Sequence, residues 1–132
     1  MAIEAMNHFT ILTNDLAATT RFYALFGLHA GWRPPFNFPG AWLYAGDMPI
    51  LHVVLKERLP DRRDGLLDHM AFTARDLRGV VAILRREGCD FDLRRLAGGG
   101  VWQLFVRDPS GVRVEFDFSK DELPPEDWSS TV

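Results

Sequence analysis

The sequence predicts an α+β fold built from two similar modules, and three observations support this prediction. Residues 7–27 and 68–88 match without a gap, and His8 and His69 occupy equivalent positions 61 residues apart. In each stretch an aspartate precedes a segment that has an apolar helical face. Three strand-like segments then follow each predicted helix. A repeat of this kind indicates that one supersecondary unit, a strand, a helix and three further strands, occurs twice.

Module one spans about residues 5–60. It opens with a strand around His8, in which apolar and polar residues roughly alternate. Asp15 is placed to cap the following helix by accepting a hydrogen bond from its free amides, and Gly27 suits the left-handed turn at its end. Segments rich in proline and glycine separate the later strands. These strands are expected at residues 28–32, 41–45 and 50–55.

Module two spans about residues 61–118 and repeats this order, with Asp76 as the helix cap and Gly88 at the helix end. Its later strands are expected at residues 91–96, 101–107 and 112–118. Each module is too thin to bury its apolar surface alone, so the two are expected to pack together within one domain. The acidic tail, residues 119–132, is expected to lie at the periphery.

The composition limits the possible classes of protein. The chain has 132 residues, of which 47% are hydrophobic, so it can form a folded core. Its net charge of -3 argues against nucleic acid as a partner, because phosphate binding needs a basic surface. No apolar run is long enough to cross a bilayer, the single cysteine allows no internal disulfide, and the N-terminal residues do not resemble a signal peptide. A cytoplasmic location is therefore expected.

Three residues are candidates for binding a metal ion. A lone histidine on a strand is more often structural than a ligand, but His8 and His69 are equivalent in the repeat. Glu115 lies on the last strand of module two between Val114 and Phe116. Those apolar neighbours are expected to face the helix, which leaves Glu115 on the other face of the sheet. Two imidazoles and one carboxylate form a common ligand set for divalent metals.

Three segments resemble the signatures of a known family. They are Asn7-His8-Phe9 through Leu16, Asp68-His69-Met70-Ala71-Phe72, and Asp108-Pro109-Ser110-Gly111-Val112-Arg113-Val114-Glu115. In this order they resemble the vicinal oxygen chelate superfamily, which includes glyoxalases, extradiol dioxygenases, fosfomycin-resistance transferases, epimerases and bleomycin-binding proteins. The resemblance implies paired βαβββ modules related by a pseudo-twofold axis, with helices outside and mixed, curved sheets around a metal-lined cleft. It also implies His8, His69 and Glu115 as the metal ligands, and a homodimer.

His52 is expected to share this cleft, and its role distinguishes several activities. Glyoxalases usually carry a carboxylate or an amide on the equivalent strand, whereas extradiol dioxygenases are similar in having a histidine there that exchanges protons with the substrate. An imidazole titrates near neutrality and suits proton transfer or metal binding. His52 is therefore the predicted catalytic residue, with a fourth ligand and a structural histidine as alternatives. Thr10, Gln103 and Phe105 are expected to contact a substrate.

The sequence thus favours a divalent-metal-dependent enzyme that chelates a small substrate through two neighbouring oxygens. The histidine at position 52 favours extradiol-dioxygenase-like chemistry. A glyoxalase-like or epimerase-like lyase or isomerase is the alternative within the enzymes, and a protein that sequesters a drug or metabolite is the alternative outside them. Imidazole and carboxylate ligands suit Fe²⁺, Zn²⁺, Ni²⁺ and Mn²⁺ alike.

Overall fold

A computed structural model describes residues 2–129 of the chain. The chain divides into two compact units, the first ending at Arg63 and the second beginning at Asp64. Each unit contains one helix and one four-stranded mixed sheet in the order strand, helix, strand, strand, strand. The predicted α+β class and the two βαβββ modules are therefore confirmed.

The first unit consists of β1 (Phe9–Thr13), α1 (Leu16–Leu25), β2 (His29–Ala30), β3 (Gly40–Ala45) and β4 (Met48–Leu55). Its sheet has the strand order β1-β4-β3-β2. β1 and β4 pair in parallel, whereas β4 with β3 and β3 with β2 pair antiparallel. The helix connects β1 at one edge of the sheet to β2 at the other edge. Asp15 caps this helix as predicted, because its side chain accepts a hydrogen bond from the amide of Ala18.

The second unit consists of β5 (Met70–Thr73), α2 (Leu77–Arg86), β6 (Phe91–Arg95), β7 (Trp102–Arg107) and β8 (Arg113–Phe118). It repeats the topology of the first, with the strand order β5-β8-β7-β6 and the same parallel and antiparallel pairings. Asp76 caps its helix as predicted, and its side chain accepts a hydrogen bond from the amide of Gly79. No helix within residues 2–129 is long and apolar enough to cross a membrane.

Two strand boundaries in the first unit differ from the prediction. β2 has only two residues rather than the expected 28–32, because the chain leaves the sheet before Pro34 and Pro35, which lack amide donors. The turn between β3 and β4 is shorter than expected, since Gly46 adopts a φ of 60° and Ala45 pairs directly with Met48. Pro49 therefore lies inside β4. Its lack of an amide hydrogen removes no hydrogen bond between β4 and β1, because the pairing of these two strands begins at Leu51.

Each unit has its own hydrophobic core, formed by one face of its sheet and the buried side of its helix. In the first unit the hydroxyls of Thr13 and Thr19 are also buried, and they satisfy each other in a hydrogen bond of 2.8 Å. The apolar core residues of the first unit are Ile11, Phe22, Tyr23, Leu28, Leu43, Leu51 and Val53. Those of the second unit are Met70, Leu77, Val81, Leu84, Trp102, Leu104, Val106, Val114, Phe116 and Phe118, while Phe105 is buried on the opposite face of the sheet.

The tail is attached to the second unit by specific contacts as far as the structure describes it. The Glu122 carboxylate accepts hydrogen bonds from the amides of Leu77 and Asp76, at 2.6 and 3.2 Å, at the start of α2. The Trp128 indole donates to the carbonyl of Leu93 and packs edge-on against Trp102. The tail thus braces the helix against the sheet. Residues 130–132 of the predicted tail lie outside the described residues.

Gly40 is required by the close approach of β3 to β4. A Cβ added at Gly40 would lie 2.2 Å from the backbone carbonyl oxygen of Val53, which cannot move without breaking the sheet. Gly40→Ala should therefore lower the free energy of unfolding by about 1–3 kcal/mol in a denaturant titration. Gly65→Ala is the matched control, because a Cβ there meets no atom within 4 Å. Equal stability of the two variants would contradict this account of the strand pairing.

Glu122 is expected to stabilise α2 as a remote cap. Its carboxylate satisfies two amides at the positive end of the helix, so Glu122→Ala should cost about 1–2 kcal/mol of stability. The thermal unfolding midpoint would report the loss. Glu126→Ala serves as the control, since Glu126 is an exposed tail residue. A midpoint that falls equally in both variants would argue against the cap.

Candidate functional site

Strand alternation gives the second sheet one apolar face and one polar face. Val114 and Phe116 are buried in the core, whereas Glu115, between them, points to the opposite face. The register aligns Ala71 of β5, Glu115 of β8 and Phe105 of β7 across this polar face. Glu115 therefore occupies the face of the sheet that the sequence predicted.

An imidazole and a carboxylate meet on this face. His69 lies one residue before β5, and the parallel pairing of β5 with β8 brings its ring to Glu115. Nε2 of His69 is 2.9 Å from Oε1 of Glu115. The His69 side chain is 32% exposed, whereas Glu115 is only 5% exposed. A buried carboxylate thus faces the ring of a partly exposed histidine.

The other ring nitrogen of His69 is held by the preceding residue. Nδ1 lies 2.7 Å from Oδ2 of Asp68, and the guanidinium of Arg113 contacts the same carboxylate oxygen. The hydrogen bond from His69, together with the positive charge of Arg113, lowers the pKa of the Asp68 carboxyl below its usual value. An ionised Asp68 accepts a hydrogen bond from Nδ1, while Nε2 is the ring nitrogen that faces the Glu115 carboxylate.

Two polar residues surround the Glu115 carboxylate. The Gln103 amide donates a hydrogen bond of 3.3 Å to Oε2 of Glu115, which fixes the orientation of the carboxylate. Burial raises the pKa of Asp117 to about 6, and the hydrogen bond with Glu115 and the charge of Glu115 act in the same direction. Oδ1 of Asp117 is buried and has no hydrogen-bond partner within the described residues. Gln103 therefore lies on the predicted face of the sheet, where it contacts Glu115.

Phe105 lies between two arginines on the same face. The guanidinium carbons of Arg94 and Arg113 are 4.8 and 4.3 Å from the centre of its ring, and the ring meets His69 edge-on at 5.5 Å. Phe105 also lines an open cavity of about 240 Å³. The other lining residues of this cavity are Asp90, Phe91, Asp92, Val106, Arg107 and Arg113.

The first unit holds its own histidine in the same way. His8 lies one residue before β1, and its Nδ1 is 2.6 Å from Oδ1 of Asn7. This repeats the relation between His69 and Asp68. Because the Asn7 oxygen can only accept, the hydrogen lies on Nδ1 of His8 and Nε2 keeps its lone pair.

His52 lies in a stack of three rings. The register places Thr10, His52 and Trp42 side by side on one face of the first sheet. The His52 ring stacks on Trp42 at 4.0 Å and on His8 at 3.8 Å between ring centres. Its Nε2 lies 3.2 Å from the carbonyl oxygen of Pro49, so Nε2 is the donor and Nδ1 carries the lone pair. Burial, and next the neighbouring His8, lower the pKa of His52, and the charge of Arg33 adds to this.

The structure thus gathers the candidates into a pair in each unit, His8 with His52 and His69 with Glu115. Among the described residues of either unit, no three histidine, cysteine, aspartate or glutamate side chains surround one ion position. Thr10 is exposed beside His52.

The donors present fit a divalent cation. Two ligand atoms at right angles, each about 2.1 Å from an ion, lie about 3 Å apart, which matches the separation of His69 Nε2 and Glu115 Oε1. A histidine that binds a metal through one ring nitrogen usually donates the hydrogen on its other ring nitrogen to an oxygen. In His8 and His69 that other nitrogen is Nδ1, which contacts a side-chain oxygen of the preceding residue. Sequence reasoning did not assign this role to Asn7 or Asp68, although each directly precedes a histidine of the repeat.

A comparison with protein families identifies the family of this chain. The model of the Glyoxalase/Bleomycin resistance protein/Dioxygenase superfamily matches residues 5–116. The chain belongs to this superfamily. The resemblance drawn from the three sequence motifs is therefore confirmed. No curated protein matches this sequence significantly.

Solved structures of the superfamily share the fold. A glyoxalase family protein from Enterococcus faecalis is 24% identical, with a TM-score of 0.65 and coverage of 89% of this chain and 99% of that one. Glyoxalase I from Leishmania major is 21% identical, with a TM-score of 0.68 and coverage of 89% and 88%. The fosfomycin resistance protein FosX from Listeria monocytogenes is 16% identical, with a TM-score of 0.71 and coverage of 89% and 94%. At these identities the likeness concerns the fold.

The ring hydrogens give a direct test of the described geometry. His8 should be the Nδ1–H tautomer when neutral, because the Asn7 side-chain oxygen accepts at Nδ1. His69 cannot be assigned in this way, because carboxylate oxygens face both of its ring nitrogens. His52 should be the Nε2–H tautomer, because the Pro49 carbonyl accepts at Nε2. Long-range ¹H–¹⁵N spectra of the imidazoles above pH 8, with His29 as the exposed reference, would distinguish the two forms. The same tautomer for His52 and His8 would contradict this geometry.

Proposed function

We propose that this chain is a divalent-metal-dependent enzyme that acts on a small substrate through two neighbouring oxygen atoms. The observation that carries the proposal is the contact of His69 Nε2 with the buried Glu115 carboxylate, where the distance suits two ligands of one ion. His8 is the proposed third ligand, contributed by the same chain or by a second copy in a homodimer. Together they form a ligand set of two imidazoles and one carboxylate, which leaves coordination positions for substrate.

The surrounding residues have the roles that such a ligand set requires. Asn7 and Asp68 hold the rings of His8 and His69 through Nδ1, so that Nε2 of each ring is the nitrogen that would bind the metal. Gln103 holds the second oxygen of Glu115. Arg113 contacts Asp68, which keeps that carboxylate ionised. The metal, when bound, would polarise the two substrate oxygens and stabilise the negative charge that develops on them.

The proposed proton carrier is His52. Nε2 of His52 donates to the Pro49 carbonyl, so Nδ1 is the atom that can accept a proton from a substrate hydroxyl and later return it. Stacking between Trp42 and His8 holds the ring in one orientation. A histidine in this role favours extradiol-dioxygenase-like cleavage of an aromatic diol, with Fe²⁺ as the proposed metal and dioxygen as the oxidant.

Metal affinity tests the ligands apart from the reaction. His8→Gln, His69→Gln and Glu115→Gln should each weaken the binding of Fe²⁺ or Zn²⁺ by more than about 100-fold, and Asp68→Asn by about 10–100-fold. Titration calorimetry of the metal-free protein measures this, and His29→Gln provides a matched histidine control. Wild-type affinity in the Glu115→Gln variant would rule out the proposed ligand set.

Oxygen uptake by the iron-loaded protein tests the reaction class. A catechol panel should give uptake matched by ring-opened product, and His52→Gln should lower kcat by about 10²–10⁴-fold while the metal affinity stays within a few fold. Turnover of methylglyoxal hemithioacetal by the nickel or zinc form is the parallel assay for a lyase. Absence of uptake with every diol, together with lyase turnover, would replace the oxygenase proposal.

A further inference from the structure

The loop between β2 and β3 carries an exposed cluster of aromatic rings. Trp32, Phe36 and Phe38 are 71%, 44% and 41% exposed, and Trp42 of β3 lies beside them. These four residues form what is here called the aromatic surface. Large exposed rings that lie close together are characteristic of binding surfaces rather than of ordinary solvent-exposed faces.

This loop is held in place rather than free to move. The Tyr44 hydroxyl donates to the carbonyl of Trp32 at 2.6 Å, and the amide of Gly31 donates to the carbonyl of Trp42 at 3.1 Å. At the far end of the loop, the amide of Leu55 donates to the carbonyl of Pro39 at 3.0 Å. Both ends of the loop are thus bonded to the sheet, so the rings are arranged before any ligand binds, which reduces the entropic cost of binding.

Arg33 supplies a positive charge within the aromatic surface. Its guanidinium lies 4.8 Å from the centre of the Phe36 ring and 5.0 Å from that of Phe38, and it donates to the Phe38 carbonyl at 2.9 Å. No carboxylate within residues 2–129 forms an ion pair with it. The guanidinium therefore keeps donors for an anion next to rings that can stack on a flat molecule.

The aromatic surface is continuous with the ring stack of the candidate site. Phe36 lies 6.3 Å from Trp42 between ring centres, and Trp42 stacks on His52, which stacks on His8. A flat ring bound against Phe36 and Trp42 would therefore lie on the same face of the first unit as His52 and His8.

We propose that the aromatic surface and Arg33 bind an aromatic carboxylate, with the ring stacked on Phe36 and Trp42 and the carboxylate paired with Arg33. Combined with the proposed function, on which this part rests, the substrate would be an aromatic vicinal diol that also carries a carboxylate. The recognition of the ring and of the anion does not itself depend on a bound metal.

Three small probes separate the two parts of the recognition in metal-free wild-type protein. Benzoate has the ring and the charge, cyclohexanecarboxylate has only the charge, and benzamide has the ring without the charge. Benzoate should bind at least about tenfold more tightly than either of the other two, as measured by titration calorimetry. Equal affinities for the three probes would overturn the proposal without requiring any variant.

Variants then locate the site, with a second arginine–phenylalanine pair as the control. Arg33→Gln should reduce the affinity for benzoate to that for benzamide, and Phe36→Leu should reduce it to that for cyclohexanecarboxylate. Arg85→Gln and Phe91→Leu change a similar pair, 5.9 Å apart, and should leave benzoate binding unchanged. Loss in all four variants, or in none, would overturn the assignment.

Two further measurements separate this inference from its rivals. Glu115→Gln should bind benzoate like the wild type although its metal affinity is lost. Benzoate binding and metal binding therefore test the two proposals separately, and either can fail without the other. Sedimentation of the wild type and Phe36→Leu tests a second copy as the occupant of the aromatic surface. A dimer that dissociates only in the variant, with no preference for benzoate, would show that the surface binds another chain and would overturn the ligand proposal.

Discussion

The parallel pairing of β5 with β8 is the constraint on which the candidate site depends. It aligns Ala71 with Glu115, and so brings His69, two residues before Ala71, to a carboxylate that is distant in the sequence. Strand alternation sets the direction of the carboxylate, because Val114 and Phe116 are buried and Glu115 between them must point to the other face. A shift of one residue in this register would bury the carboxylate in the core and expose the apolar side chains.

The two units keep the same scaffold but differ in the face opposite the core. Both begin with a histidine whose Nδ1 is held by the side chain of the preceding residue, Asn7 in one and Asp68 in the other. In the first unit the histidine meets other rings, His52 and Trp42. In the second it meets charged groups around Glu115. The repeat therefore preserves the ring orientation, while the neighbouring strands give each histidine a different chemical environment.

The segments outside regular structure are more ordered than their composition indicates. The loop around Phe36 and Phe38 is rich in proline, yet backbone hydrogen bonds join both of its ends to the sheet. The tail is acidic, yet Glu122 and Trp128 make contacts with α2 and β6. In both cases a few hydrogen bonds to the sheet or helix offset the conformational entropy that a polar or proline-rich segment would otherwise retain.

The sequence by itself determined the repeat, the α+β class, the helix caps at Asp15 and Asp76, and the face on which Glu115 lies. Those features follow from local periodicity and from side-chain chemistry at single positions, which a linear sequence records directly. Only the tertiary structure decided that His69 contacts Glu115, that His52 stacks between Trp42 and His8, and that Arg33 lies against Phe36. Such contacts depend on strand register and loop path, which arise from packing across residues far apart in the chain.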